Sequence, residues 1–298
     1  MTHAIIDIGS NSMRLTVYQV ENHTFKILFK EKIMAGLAGF VENGYLTQAG
    51  IYRARDALQE FGNVLSLLDL RDRVHVLATA SLRNIRNTRE TVEFLTRQTG
   101  FSIDVISGKE EAVYGYRGAM YQFAVSEGAF LDIGGASTEI TIFRDGQVQT
   151  AESCPVGSLL LYKNCVKKIL PGSGSRKRIE EMIAGAIPQE LLSRLPSHAQ
   201  LICMGGTCRA VGKLARKLNL MDSEIPSLSL SQLDKVGQLL LGEEKLAADT
   251  ILQVDPVRIH TIVPGYLVLS HIAHALKPEQ LLISDYGVRE GYLAEKVL

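Results

Sequence analysis

Residues 4–18 read AIIDIGSNSMRLTVY and residues 129–143 read AFLDIGGASTEITIF. The two segments align without a gap at an offset of 125, and six of the fifteen positions are identical. A chain that carries one structural unit twice must house both copies, and this period is far longer than that of a solenoid. Each copy is therefore read as opening its own domain. The length of 298 residues agrees with two domains of about 100–200 residues each.

Each copy has an apolar strand, a turn of small residues and an alternating strand. The turns are Gly9-Ser10-Asn11-Ser12 and Gly134-Gly135-Ala136-Ser137. Small residues let a backbone approach an oxyanion closely, and their N–H groups and hydroxyls can donate to phosphate oxygens. A single such segment reads as an ordinary hairpin turn; two, at the start of two halves, favour a shared function. Arg14 and Glu139 occupy equivalent places just past the turns. A cation in one half and a carboxylate in the other suit a polyanion on one side and a metal or water on the other. Two exposed strand residues fit the same pattern equally well.

In the first half, strands are predicted near 4–8, 13–20, 25–34, 73–79 and 101–106, with helices over 48–69, 87–98 and 109–123. Asn87 followed by Glu90 has the spacing of a capping box. In the second half, strands are predicted near 128–133, 138–144, 147–154, 201–204 and 281–284. Helices are predicted over 158–194 (broken at Pro171-Gly-Ser-Gly-Ser175), 208–218, parts of 230–276, and 288–297. The order βββαβαβα occurs twice and predicts two α/β layers about a central cleft, with a boundary near 122–127.

Composition limits the partners. Lys plus Arg and Asp plus Glu both number 32, so the net charge is zero. That argues against a nucleic-acid coat or a polybasic membrane binder, and requires any positive potential to be local. Cys154, Cys165, Cys203 and Cys208 form no CxxC pair and suit a reducing cytosol better than a disulfide scaffold. The N-terminus lacks the basic and apolar regions of a signal peptide. The uncharged stretch between Arg258 and Lys277 holds three histidines, Pro264 and Gly265, and reads as a buried helix rather than a membrane span.

The segments DIGSNSMRL (7–15), ATASLRN (78–84), ISGKEEA (106–112), DIGGASTE (132–139), MGGTCRAVG (204–212), RIHTIVPG (258–265) and GVREGYL (287–293) resemble the exopolyphosphatase / guanosine pentaphosphate phosphohydrolase (Ppx/GppA) family. The resemblance covers essentially the whole chain and fits the short, two-domain form. It implies two ribonuclease H-like βββαβαβα domains of the actin-like ATPase and sugar kinase superfold, over 1–124 and 125–298. The second domain carries helical insertions, the last helix packs back on the first, and the active site lies in the interdomain cleft. It implies hydrolysis of a terminal phosphoanhydride bond with Mg²⁺ or another divalent cation, in the cytoplasm. The substrate is inorganic polyphosphate or guanosine pentaphosphate, with no nucleic-acid or membrane partner, and a homodimer is left open. Glu111 is implied as general base, Glu139 as a second catalytic carboxylate, and Asp132 with Glu139 as the metal site. Gly9, Ser10, Asn11, Ser12, Arg14, Arg83, Gly134, Gly135, Ala136, Ser137, Thr138, Gly205, Gly206 and Thr207 are the implied substrate contacts. Ala136 stands where the family commonly has a third glycine, which bears on the loop's backbone. A kinase of the same superfold and a non-catalytic nucleotide sensor are the other readings.

Several residues keep two readings. Glu110 and Glu111 are adjacent on a helix, so their side chains point about 100° apart and only one can face a cleft; both also suit a helix start. Arg83 reads as a phosphate ligand or a surface arginine. Gly205-Gly206-Thr207 reads as an anion site or as a tight turn with Thr207 capping the next helix. Lys163, Lys167, Lys168, Arg176, Lys177 and Arg178 read as a solvated face, or as a landing strip for a long polyanion. His271 and His274, i,i+3 on a largely apolar helix, read as core or partly buried residues rather than metal ligands.

Overall fold

The computed structural model describes residues 1–193, 199–221 and 226–298; residue 194, where one predicted helical stretch ends, lies outside them. Packing divides the chain into two units, Met1–Glu111 with Tyr292–Leu298, and Ala112–Gly291.

In the first unit, β1 (Thr2–Ile8), β2 (Met13–Glu21) and β3 (Thr24–Ile33) form an antiparallel meander. A two-residue ladder, β4 (Val41–Glu42) and β5 (Tyr45–Leu46), leads into α1 (Gln48–Leu67). The Thr47 hydroxyl caps α1 by accepting from the Gly50 N–H. Ile51, Ala54, Leu58, Phe61 and Leu65 recur at helical spacing and are all buried in one core with Ile6, Ile8 and Leu15. Each such Leu, Ile or Phe contributes about 1.5–3 kcal/mol through burial. After β6 (Val74–Ala78), α2 (Ala80–Arg83) and α3 (Thr88–Thr99), β7 (Ile103–Val105) completes the sheet. The strand order is β3-β2-β1-β6-β7, with β6 and β7 parallel to β1.

Helix α4 (Gly108–Ala119) follows, and the division between units falls inside it. The sequence places the boundary near 122–127. Residues from Ala112 onward pack with the second sheet, which puts them in the second unit. The Thr141 hydroxyl donates to the Ala112 carbonyl at 2.9 Å, and the Phe130 ring lies 2.5 Å from where a Cβ on Gly115 would stand.

The second unit repeats the meander as β8 (Glu127–Ile133), β9 (Thr138–Arg144) and β10 (Gln147–Cys154). It continues through α5 (Ser158–Cys165), α6 (Ser173–Ala186), α7 (Gln189–Leu192), β11 (Gln200–Met204) and α8 (Gly205–Lys217). Then come β12 (Ser227–Leu228), α9 (Leu230–Leu241), α10 (Glu244–Val254), α11 (Ile262–Leu276), β13 (Leu281–Ile283) and α12 (Val288–Lys296). The order β10-β9-β8-β11-β13 reproduces the first sheet, with β12 added at the edge. Both units thus have the ribonuclease H-like arrangement that the family resemblance implies. Alternate residues of β8 feed opposite cores: Ala129, Leu131 and Ile133 on one face, Phe130 on the other. The uncharged stretch before Lys277 is the buried helix α11, and among the described residues no helix is long and apolar enough to cross a membrane. All four cysteines are buried, unpaired thiols.

Two expectations about helix starts are corrected. Asn87 does not cap α3: its side chain exchanges two hydrogen bonds with the Leu46 backbone, at 2.9 and 3.0 Å. And α8 begins at Gly205 rather than near 208, so Gly205-Gly206-Thr207 is the helix's first turn, with Gly205 in the left-handed region at φ 98°.

The C-terminal residues complete the first unit. The Tyr292 hydroxyl donates to Asp104 at 2.9 Å, its ring meets His75 edge-on, and His75 stacks on His3. Burial pulls both imidazoles below their ordinary value; His75, Arg73 and the N-terminal ammonium add to the effect on His3, and Lys296 to that on His75. The folded state therefore binds fewer protons than the unfolded chain in the range just below the ordinary histidine value, so stability falls as pH drops through that window. We expect urea midpoints of the wild-type chain to fall between pH 7 and pH 5.5 more steeply than those of the double variant His3→Gln, His75→Gln.

Candidate active site

The two turns share one steric feature. A Cβ on Gly9 would stand 2.9 Å from the Ser12 carbonyl, and a Cβ on Gly134 would stand 2.9 Å from the Ser137 carbonyl. Each turn is braced through its carbonyls. Gly36 N–H donates to Asn11 O at 2.9 Å and Ala38 N–H to Ser10 O at 3.0 Å. In the second unit, Ser158 N–H donates to Gly134 O, and Leu159 and Leu160 N–H groups to Gly135 O, at 2.9–3.0 Å. The bracing engages acceptors and leaves donors: among the described residues the N–H groups of Ser10, Asn11, Gly135 and Ala136 have no acceptor. Ala136 is absent from the left-handed region, so replacing a third glycine there carries no backbone strain. Thr138 is fully buried, its hydroxyl donating to Val156 O at 2.6 Å.

Strand register then sets what stands beside each turn. In the first unit Asp7 lies opposite Arg14, and Arg14 opposite Lys32, a row of acid, cation and cation. The same row in the second unit is Asp132, Glu139 and Ser153. Here two carboxylates face each other as direct cross-strand neighbours, where like charges destabilise. Glu139 is 1 % exposed and Asp132 9 %. The Asp132 carboxylate lies against the first turn of α8: a Cβ on Gly205 would meet its Oδ1 at 2.6 Å. Glu139 Oε1 accepts from the Ser153 hydroxyl at 2.7 Å. Burial, with Glu139 and Glu152, pushes the neighbouring Cys154 thiol up to about 11, so it stays protonated at neutral pH.

Glu110 and Glu111 separate as helix geometry demands. Glu110 forms a capping box with Ser107: Ser107 N–H donates to its Oε2 at 2.8 Å, and Glu110 N–H donates to the Ser107 hydroxyl at 3.2 Å. Hydrogen bonds from Ser107 hold the Glu110 carboxyl below its ordinary value, and Lys296 adds to this. Glu111 turns inward, is buried, and pairs with Arg83 at 2.7 Å. Arg83 also donates to Ile106 O at 3.1 Å, so the start of α4 and the end of α2 are tied together.

Residues 16–298 match the family model described as "Ppx/GppA phosphatase family". The chain belongs to this family. It is 25 % identical over 315 residues to "Exopolyphosphatase 2" of Mycobacterium tuberculosis, covering 97 % of this chain and 96 % of that one. It is 28 % identical over 300 residues to "Guanosine-5'-triphosphate,3'-diphosphate pyrophosphatase" of Vibrio vulnificus, covering 98 % of this chain and 59 % of that longer protein. The crystal structure of the Aquifex aeolicus Ppx/GppA family member superposes with a TM-score of 0.80 at 26 % identity, over 100 % of this chain and 97 % of that one. An exopolyphosphatase structure from Cytophaga hutchinsonii shares the fold at a TM-score of 0.87 and 20 % identity, over 100 % and 99 % of the two chains. Membership of the Ppx/GppA family makes the chain a phosphoanhydride hydrolase.

Other residues sort differently from their sequence readings. Gly206 and Thr207 turn their Cα faces inward. Thr207 is fully buried against Gly265, its hydroxyl without a partner among the described residues, and it does not cap α8. The guanidinium of Arg258 fills the space over Gly206, 1.8–2.7 Å from where a Cβ would stand. Arg258 is 7 % exposed, burial pulls it below its ordinary value against the pull of Asp255, and the nearby Thr261 hydroxyl also lacks a partner among the described residues. A buried arginine between the starts of two helices has the character of an anion contact. The sequence pattern does not single out Arg258 within RIHTIVPG; its one signal is a charged residue bounding an otherwise uncharged stretch. In the basic segment, Arg176 donates to Pro171 O and Leu241 O, and Arg178 to Cys165 O and the Ser175 hydroxyl. These arginines hold backbone, and Lys167 and Lys168 remain with Arg178 at the edge of an open cavity of about 330 Å³. His271 and His274 lie on α11, His274 within 3.2 Å of Asp234, and no cluster of three or more metal-ligating side chains occurs among the described residues.

The capping box gives a separable test within the EE pair. Ser107→Ala removes the cap and should lower unfolding free energy by about 0.5–2 kcal/mol, read from urea melts. Glu110→Gln keeps both box hydrogen bonds and should stay close to wild type.

Proposed function

We propose that this chain removes the terminal phosphate of inorganic polyphosphate or guanosine pentaphosphate, with Glu111 activating the attacking water. The observation that carries this reading is the contrast between equivalent rows: acid and cations in the first unit, paired carboxylates in the second. The names of the mycobacterial and Vibrio relatives supply the two substrates.

Terminal phosphate hydrolysis needs neutralised equatorial oxygens, an oriented water and in-line geometry. Arg14, with the N–H groups of Ser10 and Asn11 and the Ser12 hydroxyl, suits binding of phosphate oxygens in the first unit. Gly135, Ala136 and Ser137 offer the matching donors in the second. Asp132 and Glu139 are hard oxygen donors whose mutual repulsion calls for a cation, and two carboxylates supplemented by water and phosphate is the manner in which Mg²⁺ is usually held. Bound there, Mg²⁺ would supply charge neutralisation on phosphate oxygens. Glu111, held in place by Arg83, accepts the proton of the water, and Arg83 keeps its carboxylate at one position. Arg258, packed on Gly206, suits a second anionic group of the substrate. Four unpaired, buried thiols fit a cytoplasmic location.

The test is phosphate release with Mg²⁺ from long polyphosphate, short polyphosphate, guanosine pentaphosphate and ATP, compared as kcat/KM. Glu111→Gln should lower kcat by about 10²–10⁴-fold on the preferred substrate in a chain that still folds, with a lower melting temperature because the Arg83 pair is lost. Near-normal turnover in that variant would remove Glu111 from the role of base.

A further inference from the structure

We propose that Ser153 is a positioning residue for Glu139, setting the orientation of that carboxylate toward a divalent cation held with Asp132. The inference rests on the reading of Asp132 and Glu139 as the cation site. Ser153 belongs to none of the motifs above. Register places it directly across β9 from Asp132, so that Asp132, Glu139 and Ser153 form one lateral row on three strands. Its hydroxyl donates to Glu139 Oε1 at 2.7 Å. With Glu139 1 % exposed, solvent supplies little of what its oxygens require, and a protein donor must hold the carboxylate. Removing that donor weakens the hold on Glu139 Oε1 against repulsion from Asp132.

The first unit shows why a neutral donor is needed. There the equivalent position on β3 is Lys32, beside Arg14. An ammonium at position 153 would pair with Glu139 and cancel the negative charge that attracts a cation. A hydroxyl orients the carboxylate and leaves its charge intact. Partners of this kind, one step removed from a metal, typically change affinity or activity by about 10–100-fold when removed.

The experiment titrates Mn²⁺, as a paramagnetic stand-in for Mg²⁺, into the full chain without substrate and reads free Mn²⁺ by electron paramagnetic resonance. The variants are Ser153→Ala, Ser153→Thr, Ser153→Lys, Asp132→Asn and Glu139→Gln, with melting temperatures recorded for each. Ser153→Ala should weaken Mn²⁺ binding by about 10–100-fold, Ser153→Lys should abolish it, and Ser153→Thr, which keeps the hydroxyl, should restore it. In turnover assays Ser153→Ala should raise the Mg²⁺ concentration for half-maximal rate, with kcat recovering at high Mg²⁺. Wild-type Mn²⁺ affinity in Ser153→Ala, with affinity lost in Asp132→Asn and Glu139→Gln, overturns the role of Ser153 and leaves the cation site standing. Wild-type affinity in all of these variants overturns the cation site itself, and the proposal with it.

Discussion

A carbonyl oxygen stands 2.9 Å from the place a Cβ would take on Gly9, and another in the same position over Gly134. Any side chain at either position would push the following strand away. With glycine there, each turn closes over four residues and the next strand returns in fixed antiparallel register. Register then decides which side chain faces the aspartate that precedes each turn. Side chains in a strand repeat every two residues, so a slip of one would send Arg14 or Glu139 to the opposite face of its sheet.

The same scaffold thus holds opposite electrostatics. Asp7 lies opposite Arg14, an acid facing a cation, whereas Asp132 lies opposite Glu139, and both of these carboxylates are buried. The supports around the carboxylates are local and specific. Gly205 lets Asp132 rest against the start of α8, and Ser153 holds Glu139. Around Glu111 the device is different. The adjacent Glu110 takes the capping duty, and that frees Glu111 to turn inward onto Arg83. Two neighbouring acids with one spelling therefore do unlike work, because a helix turns by about 100° per residue.

Much of this is legible in the sequence itself. The duplication, the strand pairs around both turns and the amphipathic α1 follow from short-range patterns that the sequence displays directly. What escaped depends on partners distant in the chain. Asn87 has the spacing of a cap, yet Leu46 claims its side chain. Ser107 and Glu110 form the box that Asn87 and Glu90 were expected to make. Ser153 and Lys32 acquire meaning only through register across three strands. Arg258 does so only once the first turn of α8 lies beneath it. The division inside α4 is not visible in the sequence because the helix is continuous, while its residues fall to different units on either side of Glu111 and Ala112.

The first unit consists of two separated pieces of chain, with Tyr292–Leu298 returning to join residues up to Glu111. Tyr292 reaches Asp104, and the carbonyl of Leu298 meets His23 at 2.8 Å. Synthesis runs in one direction, and domains ordinarily consolidate in the order in which they are made. Here that order is broken. A ribosome that has added Gly291 has supplied all of the second unit but not the last piece of the first. The portion translated first is completed only after the second unit, and must keep its docking surface for Tyr292–Leu298 available while the second unit is being made.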